Sequence, residues 1–366
     1  MFRSRSVRAS IAVLSLAALG PAAHAADPAA IRAAIAKAST FLAGKAQAED
    51  GSFSAEVGPA VTALAVTSLV RSGSPADAPA VKKGLAYLLS FRQPDGGIYQ
   101  PGSPVANYET SIALLALAAA NGSGEYADAI KGAETYARNL QWDGGEGKDN
   151  ADPAYGGAGY GKKSRPDLSN TQFLIEALRT IGASENDPAI QKALTFVSRT
   201  QNLPGPDNPM PFPEKNPDGG FYYTPAAGGE SQAGTLPNGG LRSYGSMTYA
   251  GLKSMIFAGL KPDDPRVKAA TEWLRKHYTF AENPGMGQAG LYYYFHTAAK
   301  SLDVLGADTF TDADGKPHDW RAELSDVLLS KQNPDGSWTN ENTRWMEDNP
   351  TLVTSYALLA LAYCLP

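Results

Sequence analysis

The sequence predicts an all-α fold, an (α/α)6 toroid in which six helical hairpins close into an inner and an outer ring. Three observations carry that expectation: a unit that recurs along the chain, a consistent difference between the two helices of each unit, and an Asp-Gly turn between them. Recurrence at a regular spacing marks architectures whose units bury their apolar faces against their neighbours.

The first helix of each unit is expected near 31–46, 80–92, 127–140, 188–201, 265–278 and 320–331. These helices keep their charges to one side, as Lys82 and Lys83 do between Val81 and Leu85, the pattern of a half-exposed helix. The turns read Asp50-Gly51-Ser52-Phe53, Asp95-Gly96-Gly97-Ile98, Asp143-Gly144-Gly145, Asp218-Gly219-Gly220-Phe221 and Asp335-Gly336-Ser337-Trp338, while the fifth unit offers only Pro284-Gly285-Met286-Gly287. Glycine there permits positive φ, and aspartate bonds nearby backbone.

The second helices share a register. About three turns before Gly73, Gly122, Gly182 and Gly259 stand Thr62, Thr110, Thr171 and Thr248, and Thr354 takes the same place in the sixth unit. Alanine, leucine and isoleucine surround these helices on most faces, as from Ser111 to Ala120, so each is expected to be enclosed by others. The recurring threonines read as structural, satisfying free N–H groups at a helix start. An open superhelix would share this periodicity; closure is expected because no polar capping hairpin follows the sixth unit. The insertions, 145–167 and 203–244, fall between outer and inner helix and so on one end of a single toroid spanning 26–366. That end, the mouth, is expected to carry the site.

Arg3, Arg5 and Arg8 precede an apolar run from Ile11 to Leu19 and an Ala23-His24-Ala25 cleavage pattern. That order reads as a secretory signal peptide over 1–25, implying export to the periplasm or the cell exterior. The run is too short to span a bilayer, and no later stretch is long and apolar enough. One cysteine, Cys364, excludes an internal disulfide and a cysteine zinc cluster. A net charge of −5 without a basic stripe argues against nucleic-acid binding. Oligomeric state is not readable.

Gln332-Asn333-Pro334-Asp335-Gly336-Ser337-Trp338 resembles the glutamine-to-tryptophan repeat of squalene and oxidosqualene cyclases, and Gln47 to Phe53 and Gln93 to Tyr99 are weaker copies. The chain thereby resembles the terpene cyclase and protein prenyltransferase toroid superfamily. The resemblance implies the fold and an isoprenoid-like, hydrophobic ligand in a central cavity. Class II terpene cyclases protonate an alkene with the middle aspartate of a D-x-D-D-T motif. The matching stretch is Asp167-Leu168-Ser169-Asn170-Thr171, with Ser169 in the place of the acid and Asn170 in place of the last aspartate. A serine hydroxyl is too weak an acid to protonate an isolated double bond. The D-x-C zinc ligands of prenyltransferases and the G-C-G-E-Q thioester sequence are also missing.

Residues that deviate where the units otherwise agree are the site candidates. Tyr108 and Glu109, Ser169 and Asn170, Ser246, and Tyr293 with His296 all fall near the start of an inner helix, where converging N-termini favour an anionic ligand group. Asp167, Asn170, Glu109 and His296 are the candidates for catalysis. Tyr108, Ser169, Arg242, Tyr244, Ser246, Tyr293 and Trp338 are the candidates for ligand contact. His296 reads either as a satisfied buried histidine or as a general acid/base. Glu176, Lys253 and Lys300 share one register, and Glu176 with Lys253 is expected to form a structural ion pair. His277 and His318 read as surface residues. Asp312-Ala313-Asp314-Gly315 looks like part of a calcium loop but lacks the terminal glutamate, so no metal and no cofactor is expected. Three functions stay open: a cyclase-like binder of a hydrophobic ligand, a polysaccharide lyase on uronate glycans, and a non-catalytic scaffold. The lyase would draw on Asn170, Arg242, Tyr244, Tyr293 and His296. Whether the protein is an enzyme is left open.

Overall fold

The computed structural model describes residues 27–162 and 164–365. The signal peptide expected over 1–25 lies outside the described residues. Twelve α-helices are found among those described, alternating outer and inner. The outer ring is α1 (Pro28–Phe41), α3 (Pro79–Leu89), α5 (Ala127–Asn139), α7 (Pro188–Arg199), α9 (Pro265–Lys276) and α11 (Trp320–Lys331). The inner ring is α2 (Pro59–Arg71), α4 (Ala106–Ala120), α6 (Leu168–Thr180), α8 (Gly245–Phe257), α10 (Leu291–Val304) and α12 (Pro350–Cys364). Each inner helix packs on the next, and α12 packs on α2, so the ring is closed. Among the described residues no helix is long and apolar enough to cross a membrane.

The local causes are visible at the helix starts. Outer helices α1, α7, α9 and α11 are capped by the carboxylates of Asp27, Asp187, Asp264 and Asp319, which accept backbone N–H bonds. Proline opens α1, α2, α3, α7, α9 and α12, where its missing N–H costs nothing. The inner helices then stay enclosed because their alanine and leucine faces meet a neighbour on every side. In α12, for example, Val353 to Leu361 is buried without a break.

The recurring threonines are structural, but through a different bond from the one expected. Thr62, Thr110, Thr171, Thr248 and Thr354 accept the backbone N–H of Phe53, Ile98, Ala158, Phe221 and Trp338 at 2.9–3.1 Å. Each therefore ties the preceding turn to its inner helix rather than capping that helix. A second staple runs between units. The side-chain amides of Gln47, Gln141, Gln201 and Gln332 each donate to the carbonyl of their own turn glycine (Gly51, Gly156, Gly219, Gly336). Each donates also to the next outer helix, at its start for Ala80, Ala189 and Arg266 and in its second turn for Ala34. The last of these joins the sixth unit to the first and closes the ring.

Two expectations change here. In the third unit the turn equivalent to the others is not at Gly144 but at Gly156, which has φ 83° and sits so close to α7 that a Cβ would lie 1.9 Å from the Lys192 carbonyl oxygen. The Asp143 motif is instead a separate 3-10 turn, Gly144–Glu146, so the extra residues interrupt the turn itself. His318 is not on the surface. It is buried on a two-residue hairpin, Phe310–Thr311 with Pro317–His318, between Asp312 at 3.0 Å and Glu323 at 2.7 Å. Asp312 is thus engaged by its own neighbours, including the backbone N–H groups of Asp314 and Lys316.

Candidate functional site

All six inner helices present their first two turns to one end of the ring, and there they enclose a cavity of about 300 Å³. Ala60 and Val61 of α2, Tyr108 of α4, Ser169 and Phe173 of α6, Ser246 and Met247 of α8, Tyr293 of α10, and Leu352 and Tyr356 of α12 line it. The long connections complete the wall with Tyr160, Tyr223, Gln232 and Tyr244. Such a volume is at the lower end of the range for small-molecule sites, which are mostly apolar with a few placed polar groups.

Aromatic rings form the lining because tyrosine supplies a large apolar body with one hydroxyl at its tip. Phe173 sits between Tyr108, at 5.7 Å between ring centroids, and Tyr293, at 6.4 Å. Tyr293 in turn meets Tyr356 edge-on at 5.8 Å. Ser169 and Tyr293 share a hydrogen bond of 3.1 Å between their hydroxyls. Burial pushes the phenols of Tyr108, Tyr160, Tyr223, Tyr244, Tyr293 and Tyr356 upward, so these hydroxyls stay uncharged across the ordinary pH range.

Five of the sequence candidates are gathered here: Tyr108, Ser169, Tyr244, Ser246 and Tyr293. The other six are placed elsewhere. Asp167 and Asn170 stand one layer behind the wall. Both Asp167 oxygens are used, by the Asn170 backbone N–H and the Asn170 side-chain amide, each at 2.8 Å. Burial raises the Asp167 carboxyl to about 6 despite those bonds. Asn170 Oδ1 is left without a partner. Glu109 is not in the wall either; it accepts the Gln100 N–H at 3.0 Å and the Ser103 hydroxyl at 3.1 Å, fastening a mouth loop.

Trp338 is a correction. It is fully buried between the rings, donating its indole N–H to the Leu328 carbonyl at 2.8 Å, and belongs to the turn rather than the cavity. Arg242 is exposed on the 203–244 connection and does not line the cavity either. His296 is buried deeper on α10 and stacks on Tyr356 at 5.9 Å. Burial, with Lys253 and Lys300 nearby, lowers it to about 3, so it is neutral and a poor base. Its Nδ1 has no partner.

Sequence reasoning missed the segment before α12. Glu347 is buried, and one of its oxygens accepts the N–H groups of Tyr292 and Tyr293 at 3.0 and 2.9 Å, capping α10. Trp345 and Met346, 43% and 38% exposed, form the rim with left-handed φ of 58° and 62°, uncommon for such residues. Arg344 covers the Trp345 ring at 4.2 Å and reaches Gln232 at 2.6 Å, tying this rim to the fourth unit's insertion. Two consecutive large apolar residues in a polar loop were the available signal, but nothing periodic marks them.

Below the wall, α6, α8 and α10 carry an ionic group. Lys253 donates to Glu176 at 2.7 Å and to Gln172 at 2.5 Å, and Lys300 donates to Glu176 as well. Although burial pushes Glu176 upward, Lys253, Lys300 and Arg71 together hold it well below the usual carboxylate range. The expected pair is therefore a larger cluster, with Lys300 lowered to about 7 by burial. Among the described residues no group of His, Cys, Asp and Glu has the makings of a metal site.

A closed double ring of helices with an aromatic chamber at one end defines the class, a helical toroid with an internal cavity. A family model of the squalene-hopene cyclase C-terminal domain matches residues 47–212. Among solved structures, the chain is similar to the type II terpene cyclase MstE from Scytonema without ligand. That match has 14% identity and a TM-score of 0.56, covering 93% of this chain and 99% of that one. It is similar also to an MstE variant in complex with its product merosterolic acid A, at 15% identity and TM-score 0.57 over 92% and 98%. A glycosidase variant in complex with glucose matches at 13% identity and TM-score 0.51 over 92% and 97%. No curated protein sequence matches. Likeness at these identities shows the fold, a helical toroid similar to that of the terpene cyclases.

Proposed function

We propose that the protein is an exported binder of a hydrophobic, isoprenoid-like ligand, held in the mouth cavity without protonation-initiated cyclisation. The supporting observation is the wall itself: aliphatic and aromatic side chains from all six inner helices around one chamber, with no Lys, Arg or His among the described residues that line it. The chemistry of class II cyclisation lacks its acid. Ser169 faces the cavity where that aspartate would stand, and Asp167 is turned away into Asn170. The lyase alternative needs a cation and a base at one point, and neither Arg242 nor His296 lines the cavity.

The test is extraction of the purified protein into organic solvent with mass spectrometry of what leaves it, paired with displacement of a solvatochromic apolar dye by a fifteen- or twenty-carbon isoprenoid. Recovery of a lipid and displacement in the wild type, lost in Ala60→Trp, supports the reading. A dye that binds Ala60→Trp as well as wild type refutes it. Export is tested by N-terminal sequencing of the protein from the culture or periplasm, with Ala26 expected as the first residue.

A further inference from the structure

Inner-helix N-termini pointing into a chamber ordinarily make an anion site, because free N–H groups and the helix dipole both favour negative charge. In this ring five of the six helix starts are already engaged by the protein. Asn107 and Tyr108 of α4 donate to the Tyr160 carbonyl at 2.9 and 3.2 Å. On α6 the Asn170 N–H goes to Asp167 and the Leu168 N–H to the Tyr223 carbonyl. On α8 the Gly245 N–H goes to the Pro284 carbonyl and the Ser246 N–H to Asn283. Glu347 fills α10, and Asn349 accepts from Thr351 and Leu352 at the start of α12. The sixth, α2, has no side-chain cap, but it begins with Pro59, which has no N–H to offer, so only the N–H groups of Ala60 and Val61 remain there.

Charge in the wall argues the same way. Glu347 adds a carboxyl to the lining, and the mouth carboxyls Asp167 and Glu109 lie just behind it. Of the arginines at the rim, Arg165 pairs with Glu230, and Arg344 lies on Trp345 while bonding the neutral Gln232. A diphosphate or carboxylate head group buried here would meet acceptors and negative charge, with no Lys, Arg or His among the described lining residues to pair with it, which is costly. A hydroxyl head fits differently, since it both donates and accepts, as do the uncharged hydroxyls of Tyr160, Tyr223, Tyr293 and Ser169 around it.

We infer that the cavity selects a neutral, hydroxyl-headed isoprenoid, a prenyl alcohol or phenol, and rejects the corresponding diphosphate and carboxylate. This deepens the proposed function and rests on it: the apolar wall takes the chain, and the tyrosine hydroxyls read the head.

The experiment measures binding of four probes of one chain length, farnesol, farnesyl diphosphate, farnesoic acid and farnesene, by calorimetry at pH 7.5 with native mass spectrometry as a check. Farnesol is expected to bind at least about tenfold tighter than the diphosphate and the acid, about one good hydrogen bond's worth of discrimination. A Tyr160→Phe/Tyr223→Phe double variant is expected to cut the ratio of farnesol to farnesene affinity about tenfold; an unchanged ratio removes those hydroxyls from head-group recognition and overturns the inference. Diphosphate or acid binding as tight as the alcohol overturns this inference and leaves the hydrophobic-ligand reading standing. Failure of all four probes to bind overturns both.

Discussion

The two halves of the same inner helices have opposite chemistry. Their first turns carry aromatic rings and neutral hydroxyls around an open chamber, whereas two turns further on α6, α8 and α10 carry Glu176, Lys253 and Lys300 in a closed cluster. The neutral half is spacious and half-exposed in part, at Tyr108, Ser169 and Tyr293. The ionic half is sealed, with Glu176 and Lys253 only 2% and 1% exposed. Charge between these helices therefore serves to fix them, whereas mostly rings and neutral hydroxyls face the chamber. Buried ions hold position because losing a partner is so costly, while tyrosine hydroxyls can exchange partners at little cost.

Removing Glu176 is the sharpest way to break that contrast. Glu176→Gln leaves Lys253 and Lys300 buried without their counter-ion, and a loss of about 3–5 kcal/mol in urea unfolding is expected. A change below about 1 kcal/mol would mean that the cluster is not what fixes the inner helices.

Asp167 carries the next effect. Its carboxyl sits at about 6 in the fold against an ordinary 3.8, so between those values the folded state holds the additional proton. Its contribution to stability is thus greatest below about pH 4 and declines as pH rises through 6, by at most about 3 kcal/mol. Asp167→Asn is expected to flatten that part of the stability–pH profile and to raise stability at pH 7.5, because an amide is buried without charge. A variant whose profile between pH 4 and 6 matches the wild type would remove Asp167 from this account.

Smaller effects separate the repeat from its deviations. Thr248→Val removes the acceptor for the buried Phe221 N–H and is expected to cost about 1–3 kcal/mol by thermal or urea unfolding. Ser169→Ala, on the neighbouring helix but facing the chamber, is expected to change stability by less than about 0.5 kcal/mol while weakening ligand binding. If the serine variant were the more damaging to the fold, the reading of recurrence as structural and deviation as functional would fail.

The register of the inner helices was legible because it is written in residues close together in sequence. Apolar faces recur every turn, and most of the threonines lie a short distance from the N–H they accept, nine residues for Thr62 and Phe53 but 27 for Thr248 and Phe221. The third turn was misplaced because Asp143-Gly144 imitates the motif, and only the close approach of Gly156 to α7 shows which glycine the packing requires. Deviation at the mouth picked out Tyr108, Ser169, Ser246 and Tyr293 for the same local reason, and the aromatic insertion added Tyr244. It could not say that Asp167 turns away from the chamber, since that depends on a rotamer fixed by Asn170.

The sequence by itself determined the helical unit, its sixfold recurrence and the end of the ring where its irregular residues collect. Only the tertiary structure decided what those residues face. Glu347 caps a helix 55 residues before it, and Arg344 reaches Gln232 across 112 residues, through connections that have no periodicity to read. A helix advertises its buried face in its own spacing, but the partner of a loop side chain is set by how distant segments meet when the ring closes.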